Sequence, residues 1–288
     1  MRTDTREITR AGIVFMNELV IRPKSKFVSL DFKELWAYRE LFLFLAWRDV
    51  MVKYKQTAIG VVWAVIRPVL TMIVFTVIFG KVAHLPSNDI PYPLLTLSGT
   101  VPWQFFANAL SESSNSVVAN AQMISKVYFP RLIIPTSAIL SGLVDLGISF
   151  LILMGMMAWY RITPTVNLLF LPLLVLLMIA CALGIGLWFS ALNVEYRDVR
   201  YIVPFLVQLG TYVSPVGFSG SVIPEKWHLL FCLNPMVGVI NGFRWSLFGG
   251  KEPLDQNGLL IGALITVLLL VSGAWHFRRT EKTFADII

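Results

Sequence analysis

LLFLPLLVLLMIACALGIGLWFSAL, residues 168–192, runs for 25 residues without one charged side chain. As a helix rising 1.5 Å per residue it reaches about 38 Å, more than the ~30 Å hydrocarbon core of a bilayer. It reads as a membrane span. The whole chain agrees: of 288 residues, 56% are hydrophobic and only 14% charged, more apolar side chain than a soluble core can bury. These proportions exclude a soluble enzyme and a protein held by one anchor.

Working outward, residues 135–160 form a second uniform run. Residues 93–110 are broken by Gly99 and Pro102 and rich in Ser, Thr, Gln and Asn, so that segment should face protein or a water-filled path instead of lipid. The first long run, 58–82, is interrupted by Arg67-Pro68. From Pro68 to Gly80 a helix covers only about 20 Å, so this span must begin nearer Val62, leaving Arg67 about a turn deep to snorkel or face the bundle. Residues 201–218 and 259–275 complete six expected spans of an all-α membrane protein.

An even number of spans puts both ends on one side. With a cytoplasmic N-terminus, 19 of the 24 Lys and Arg residues lie inside, which predicts both termini cytoplasmic in the inner membrane. The net charge of +7 sits at the edges of apolar runs, so it should meet lipid head groups and not nucleic acid. No long apolar stretch occurs before residue 57, so the opening segment does not read as a cleavable signal peptide and the first span should do the targeting. The expected organisation is a cytoplasmic segment 1–57, a six-span domain 58–276 and a cytoplasmic tail 277–288.

Two stretches are apolar without being spans. Residues 33–55 hold an apolar block from Leu41 to Trp47 punctuated by Arg39, Glu40, Arg48, Asp49, Lys53 and Lys55. Seven unbroken apolar residues cannot cross a bilayer, so an amphipathic helix along the cytoplasmic leaflet is expected, the alternative being an ordinary soluble amphipathic helix. In 219–250, Pro224, Asn234-Pro235 and Gly249-Gly250 cut the chain into pieces of ten to thirteen residues, which predicts short re-entrant or interfacial helices.

Enzyme readings fail on missing residues. No G-x-x-x-x-G-K-[ST] occurs, so the chain holds no P-loop of its own. His84, His228 and His276 are scattered with no H-E-x-x-H, which argues against a zinc hydrolase, and no D-x-D motif supports a sugar transferase. Cys181 and Cys232 make neither a disulfide framework nor a zinc site by themselves, and read as packing residues. Asp145, inside an apolar span, is a functional candidate by position; with no intramembrane base in view, a hydrogen-bonded packing role is the favoured reading. A proton-coupled carrier would need more such groups and an internal repeat.

The loop between the second and third spans, residues 120–131, places Met123, Ile124, Val127 and Tyr128 at helical spacing beside Lys126, with Pro130 stopping the helix. A short cytoplasmic helix exposing apolar and basic residues should want a protein partner; the alternative is a loop folded on its own bundle.

Taken in order, Arg48-Asp49, Lys53-Tyr54-Lys55-Gln56-Thr57, Gly60 and Trp63, Pro102-Trp103 with Phe105-Phe106-Ala107-Asn108, the run from Ile124 to Arg131, Asn193 with Tyr196-Arg197-Asp198-Val199, Asn234-Pro235-Met236 and Gly242-Phe243-Arg244 resemble the permease subunit of polysaccharide exporters. These are type-2 ABC transporters that move lipid-linked O-antigen, with capsule and teichoic acid exporters as relatives. The resemblance covers residue 30 to the C-terminus. It implies a homodimer of six-span subunits with two separate cytoplasmic ATPase subunits, which would bind ATP and Mg; this chain would carry no cofactor, no metal and no catalytic residue. Residues 118–131 would be the coupling helix, touching the ATPase through Asn120, Met123, Ile124, Lys126, Tyr128, Phe129 and Arg131, with Arg197 and Asp198 as a second contact. Residues 33–55 would be the interface helix and 219–248 the outer gate helices.

A conduit for glycan wants aromatic surfaces for sugar C–H faces and small polar groups for hydroxyls. Trp103, Gln104, Phe105, Phe106 and Asn108 of the second span and Gln208, Thr211, Tyr212 and Ser214 of the fifth are the candidates, interfacial aromatic belts being the alternative. Arg39, Arg48, Lys53, Lys55 and Arg67 are candidates for a lipid diphosphate, with positive-inside anchoring as the equal alternative. Two other functions fit the span pattern: export of another cargo such as teichoic acid, capsule, lipid or drug, or a membrane-embedded glycan transferase, for which only Asp145 and Glu112 offer carboxylates.

Overall fold

A computed structural model describes residues 32–55 and 60–284. Gln56 and Thr57 of the resemblance, residues 1–31 of the expected cytoplasmic segment and residues 285–288 of the expected tail lie outside the described residues. Everything described is helix or connection, with no strand. The interface segment is two helices, α1 (Phe32–Ala37) and α2 (Arg39–Lys55), broken at Tyr38. Then come α3 (Gly60–Phe75), continued as a π-helical turn Thr76–Val82, and α4 (Tyr92–Ala119). A single turn α5 (Ala121–Ile124) leads to α6 (Ile133–Trp159), α7 (Leu171–Glu195) and α8 (Val199–Val213). Two short helices, α9 (Glu225–Cys232) and α10 (Pro235–Phe248), precede α11 (Gln256–Thr280).

Four helical stretches are long and apolar enough to cross a membrane: Val62–Val82, Ile133–Trp159, Val166–Glu195 and Gln256–Thr280. The first begins at Val62, where the Arg67-Pro68 argument put it, and Arg67 is exposed on α3. Outward-facing leucines on α6, α7 and α11, such as Leu151, Leu173 and Leu264, suit a lipid surface. The other two expected spans differ. With 28 residues, or about 42 Å, α4 is ample in length, but its Ser, Thr, Gln and Asn content lowers its hydropathy. Those polar groups are affordable because α4 is the buried centre of the bundle, packed on α3, α6, α7 and α10. By contrast α8, at 15 residues, covers only about 23 Å.

Helix ends follow local chemistry. Asn234 accepts from the Met236 N–H at 3.1 Å and Pro235 takes the first position of α10, where no N–H is required. Asp255 caps α11 by accepting from the Gly258 N–H at 2.9 Å. Segment 219–250, read as short pieces, is two short helices flanked by 3-10 turns.

Arg244 on α10 is fully buried. Its guanidinium donates to Leu95 O (3.0 Å), Val216 O (3.1 Å), Phe218 O (2.8 Å) and Ser98 Oγ (3.4 Å). It thereby ties α10 to the start of α4 and to the segment after α8. Gly99 makes room: a Cβ there would lie 2.4 Å from Val216 O and 2.7 Å from Arg244 Nη2.

Candidate functional site

Three polar stripes written at helical spacing meet within the bundle. On α4, Gln104, Asn108 and Glu112 recur every four residues; on α6, Ser141, Asp145 and Ser149; on α3, Arg67 and Thr71. Packing α3, α4 and α6 side by side turns these stripes toward one another, and Gln104 donates to Thr71 Oγ1 at 3.3 Å. The result is a cleft of about 340 Å³ walled by Trp63, Arg67, Gln104, Phe105, Asn108, Glu112, Asp145 and Ser149, with Lys53 at its edge.

Lys53, near the C-terminus of α2, links the walls. Its Nζ lies 3.1 Å from Glu112 Oε1 and 2.5 Å from Asp145 Oδ2, while the Tyr54 hydroxyl donates to Asp145 Oδ1 and Ser141 Oγ donates to Glu112 Oε2 at 3.2 Å. Burial by itself would lower the Lys53 ammonium, but attraction to Glu112 and the hydrogen bond and attraction to Asp145 outweigh it, so its pKa is raised. Tyr54 is raised as well, through burial first and then its bond to Asp145. Two carboxylates against one ammonium leave a formal charge of −1, and Arg67 stands exposed on the same cleft.

Two of the candidate residues meet here. Asp145 is not an acid without a base: its cation comes from α2, 92 residues away in sequence. Lys53, a candidate for a lipid diphosphate or for positive-inside anchoring, pairs with two carboxylates. Among the other diphosphate candidates, Arg48 binds Asp49 at 2.8 Å and Asn120 Oδ1 at 3.0 Å, while Arg39 stacks on Trp36; Arg39, Lys55 and Arg67 are exposed.

The conduit candidates divide. Gln104, Phe105 and Asn108 line the cleft. Trp103 and Phe106 are packed in the core, and Trp103 donates its indole N–H to Thr211 Oγ1 at 2.7 Å, which joins α4 to α8. Ser214 is buried and accepts from Asn234 Nδ2 at 2.8 Å, whereas Gln208 and Tyr212 are exposed on α8 away from the cleft lining.

The 120–131 loop is one helical turn followed by an irregular return, not a helix over 118–131. Ile124 and Phe129 point inward, buried with Val117, Leu187, Phe277 and Phe284. Arg131 donates to the Glu281 carbonyl and lies over the Phe284 ring, so the end of the chain, read as a plain tail, is part of the loop's support. That anchoring leaves Lys126, Val127 and Tyr128 exposed as a tip, with Met123 partly buried. Beside it, a recess of about 480 Å³ is lined by Asn115, Val118, Ala119, Asn193, Arg197 and Arg200, which brings the 193–200 loop alongside the end of α4. Asn193 donates to Ser114 O and Asn115 Oδ1, both at 3.0 Å, and Arg197 and Asp198 are exposed.

The family model described as ABC-2 type transporter matches residues 40–248. The O-antigen export system permease protein RfbA of Myxococcus xanthus is 27% identical over 259 residues, covering 89% of this chain and 98% of that protein. Its namesake from Klebsiella pneumoniae is 28% identical over 254 residues, 86% of this chain and 95% of that protein. The polysialic acid transport protein KpsM of Escherichia coli is 25% identical over 240 residues, 82% and 91% respectively.

Proposed function

Because this chain belongs to the ABC-2 type transporter family, we propose that it is the permease subunit of an ATP-driven exporter moving lipid-linked polysaccharide of O-antigen type across the inner membrane. The family is one of transport permeases, and the chain is not itself an enzyme. The observation that carries the cargo is end-to-end similarity: the match extends over 98% of one O-antigen export permease and 95% of another.

In this reading two copies pair, and each works with a separate ATPase subunit that binds ATP and Mg. Both termini are cytoplasmic, α4 and α8 complete six spans, and α9 and α10 are the gate helices of the outer mouth. The tip at Lys126, Val127 and Tyr128 seats in the ATPase with Asn120, Met123, Arg131, Arg197 and Asp198 around it. Ile124 and Phe129 transmit the push, since a lever needs a rigid root. The cleft receives the glycan's proximal sugars: Phe105 offers an aromatic surface, and Gln104 and Asn108 offer hydroxyl partners. Arg67 is the cation left exposed on the cleft for phosphate.

The test is co-purification and export. The tagged chain, isolated with a candidate ATPase subunit expressed alongside it, should form a two-plus-two complex and move lipid-linked glycan to the far side of proteoliposomes on adding ATP. Lys126→Glu or Tyr128→Ala should leave the permease folded while weakening ATPase association about tenfold. A monomer that moves glycan without any ATPase would end this reading. Polysialic acid transport by one relative makes capsular glycan the second cargo, distinguished by which purified glycan stimulates ATP hydrolysis.

A further inference from the structure

His228, Cys232 and Asp255 take no part in the cleft or the loop surface, yet their donor atoms converge on one point. His228 and Cys232 stand one turn apart on α9, at the i, i+4 spacing that puts two side chains on one face. Asp255 comes from the start of α11, and its two oxygens are divided. Oδ1 accepts the capping bond from the Gly258 N–H, which turns Oδ2 toward α9. Asp255 Oδ2 lies 3.0 Å from His228 Nε2 and 3.7 Å from Cys232 Sγ, and that sulfur lies 3.8 Å from His228 Nε2.

We propose that these three residues form a binding site for a zinc-class divalent transition metal, clasping α9 to the first turn of α11. Zinc bonds of about 2.3 Å to sulfur and about 2.0–2.2 Å to nitrogen and oxygen, spread tetrahedrally, put donor atoms about 3.3–3.6 Å apart. The observed triangle is within a few tenths of an ångström of those edges. Mixed sulfur, nitrogen and oxygen donors suit zinc and exclude calcium or magnesium, which take oxygen. Two further features speak against a mere hydrogen-bonded clasp. A thiol is a weak hydrogen-bonding group, so a clasp built on such bonds has little use for Cys232. The neighbouring backbone is also cleared: a Cβ on Gly258 would stand 2.3 Å from Asp255 Oδ2 and 3.0 Å from Cys232 Sγ. The thiol is buried and the imidazole side chain is 40% exposed, so a metal would reach the site past His228.

The chain has two cysteines, which makes the test clean. The full chain, purified in detergent and stripped with chelator, is titrated with Co²⁺. One equivalent should produce the near-ultraviolet band of a cobalt–thiolate bond, and Zn²⁺ should displace it. Cys232→Ser should abolish the band and Cys181→Ser keep it. Asp255→Asn retains a capping side chain and so keeps the fold; it and His228→Gln should each weaken binding by at least about tenfold, since even outer-shell changes cost that much. Failure of the wild-type chain to develop the band, a band that survives Cys232→Ser, or unchanged affinity in both Asp255→Asn and His228→Gln would overturn the site.

Discussion

The long helix α4 meets two charge arrangements about 21 Å apart, one sealed and one open, and they are built on opposite principles. At its start, Arg244 is sealed from solvent and every partner named for it is an oxygen held by backbone or by Ser98. At its far half, Lys53 has a side chain 35% exposed and bridges carboxylates on two different helices beside an open cleft. A sealed cation with fixed acceptors cannot leave without stranding them, so it behaves as a staple. A cation at the edge of water can exchange one partner for solvent at little cost, so it behaves as a movable link. A bundle that must change shape benefits from both, one end held and the other free to rearrange.

The contrast breaks most visibly at the staple. Arg244→Leu strands the Val216 and Phe218 carbonyls, while Leu95 O keeps its bond from Ser98 Oγ, and should destabilise the chain by on the order of 3–5 kcal/mol, read as a large drop in detergent melting temperature or as loss of expression. A melt like that of the parent chain would remove the distinction between the two ends. Gly99→Val drives a Cβ into Val216 O and the same guanidinium and should cost about 1–3 kcal/mol by the same measurement.

Changes at the link should spare stability and strike function. Lys53→Met leaves Glu112 and Asp145 facing each other without their ammonium, whereas Asp145→Asn leaves Lys53 its bond to Glu112. Export in proteoliposomes should therefore fall more in Lys53→Met than in Asp145→Asn, with melting shifts worth about 1 kcal/mol or less in both. Equal export in the two variants would sink the link. The smallest effect is a predicted flatness with pH. The Lys53 pKa is raised above its ordinary 10.5, so the bridge contributes fully below that value and is lost only as pH climbs through the folded value. The melting difference between the parent chain and Lys53→Met should stay level from about pH 6 to 9 and shrink only at more alkaline pH.

Much of this was readable in advance. Arg67-Pro68 set the first span at Val62, and the breaks at Pro224, Asn234-Pro235 and Gly249-Gly250 marked the short helices between α8 and α11. The polar stripes were also present: Ser141, Asp145 and Ser149 recur every fourth residue, as do Gln104, Asn108 and Glu112, and that spacing was the available sign that Asp145 was not isolated. Phe284 carried no such sign, because a single aromatic near the end of a chain looks alike whether it is packed or loose.

What the residue order determined by itself is whatever the bilayer and the helix repeat impose locally: the membrane class, the four helices long and apolar enough to cross among the six expected, a polar central helix and the positions of the loops. Tertiary structure alone decided that Lys53 meets Asp145, that Ile124 and Phe129 are buried at the root of the loop, and that Cys232 shares a corner with His228 and Asp255. Each of those depends on how far one helix is rotated and shifted against another, and that is set by close packing among side chains distant in sequence, which no local pattern encodes.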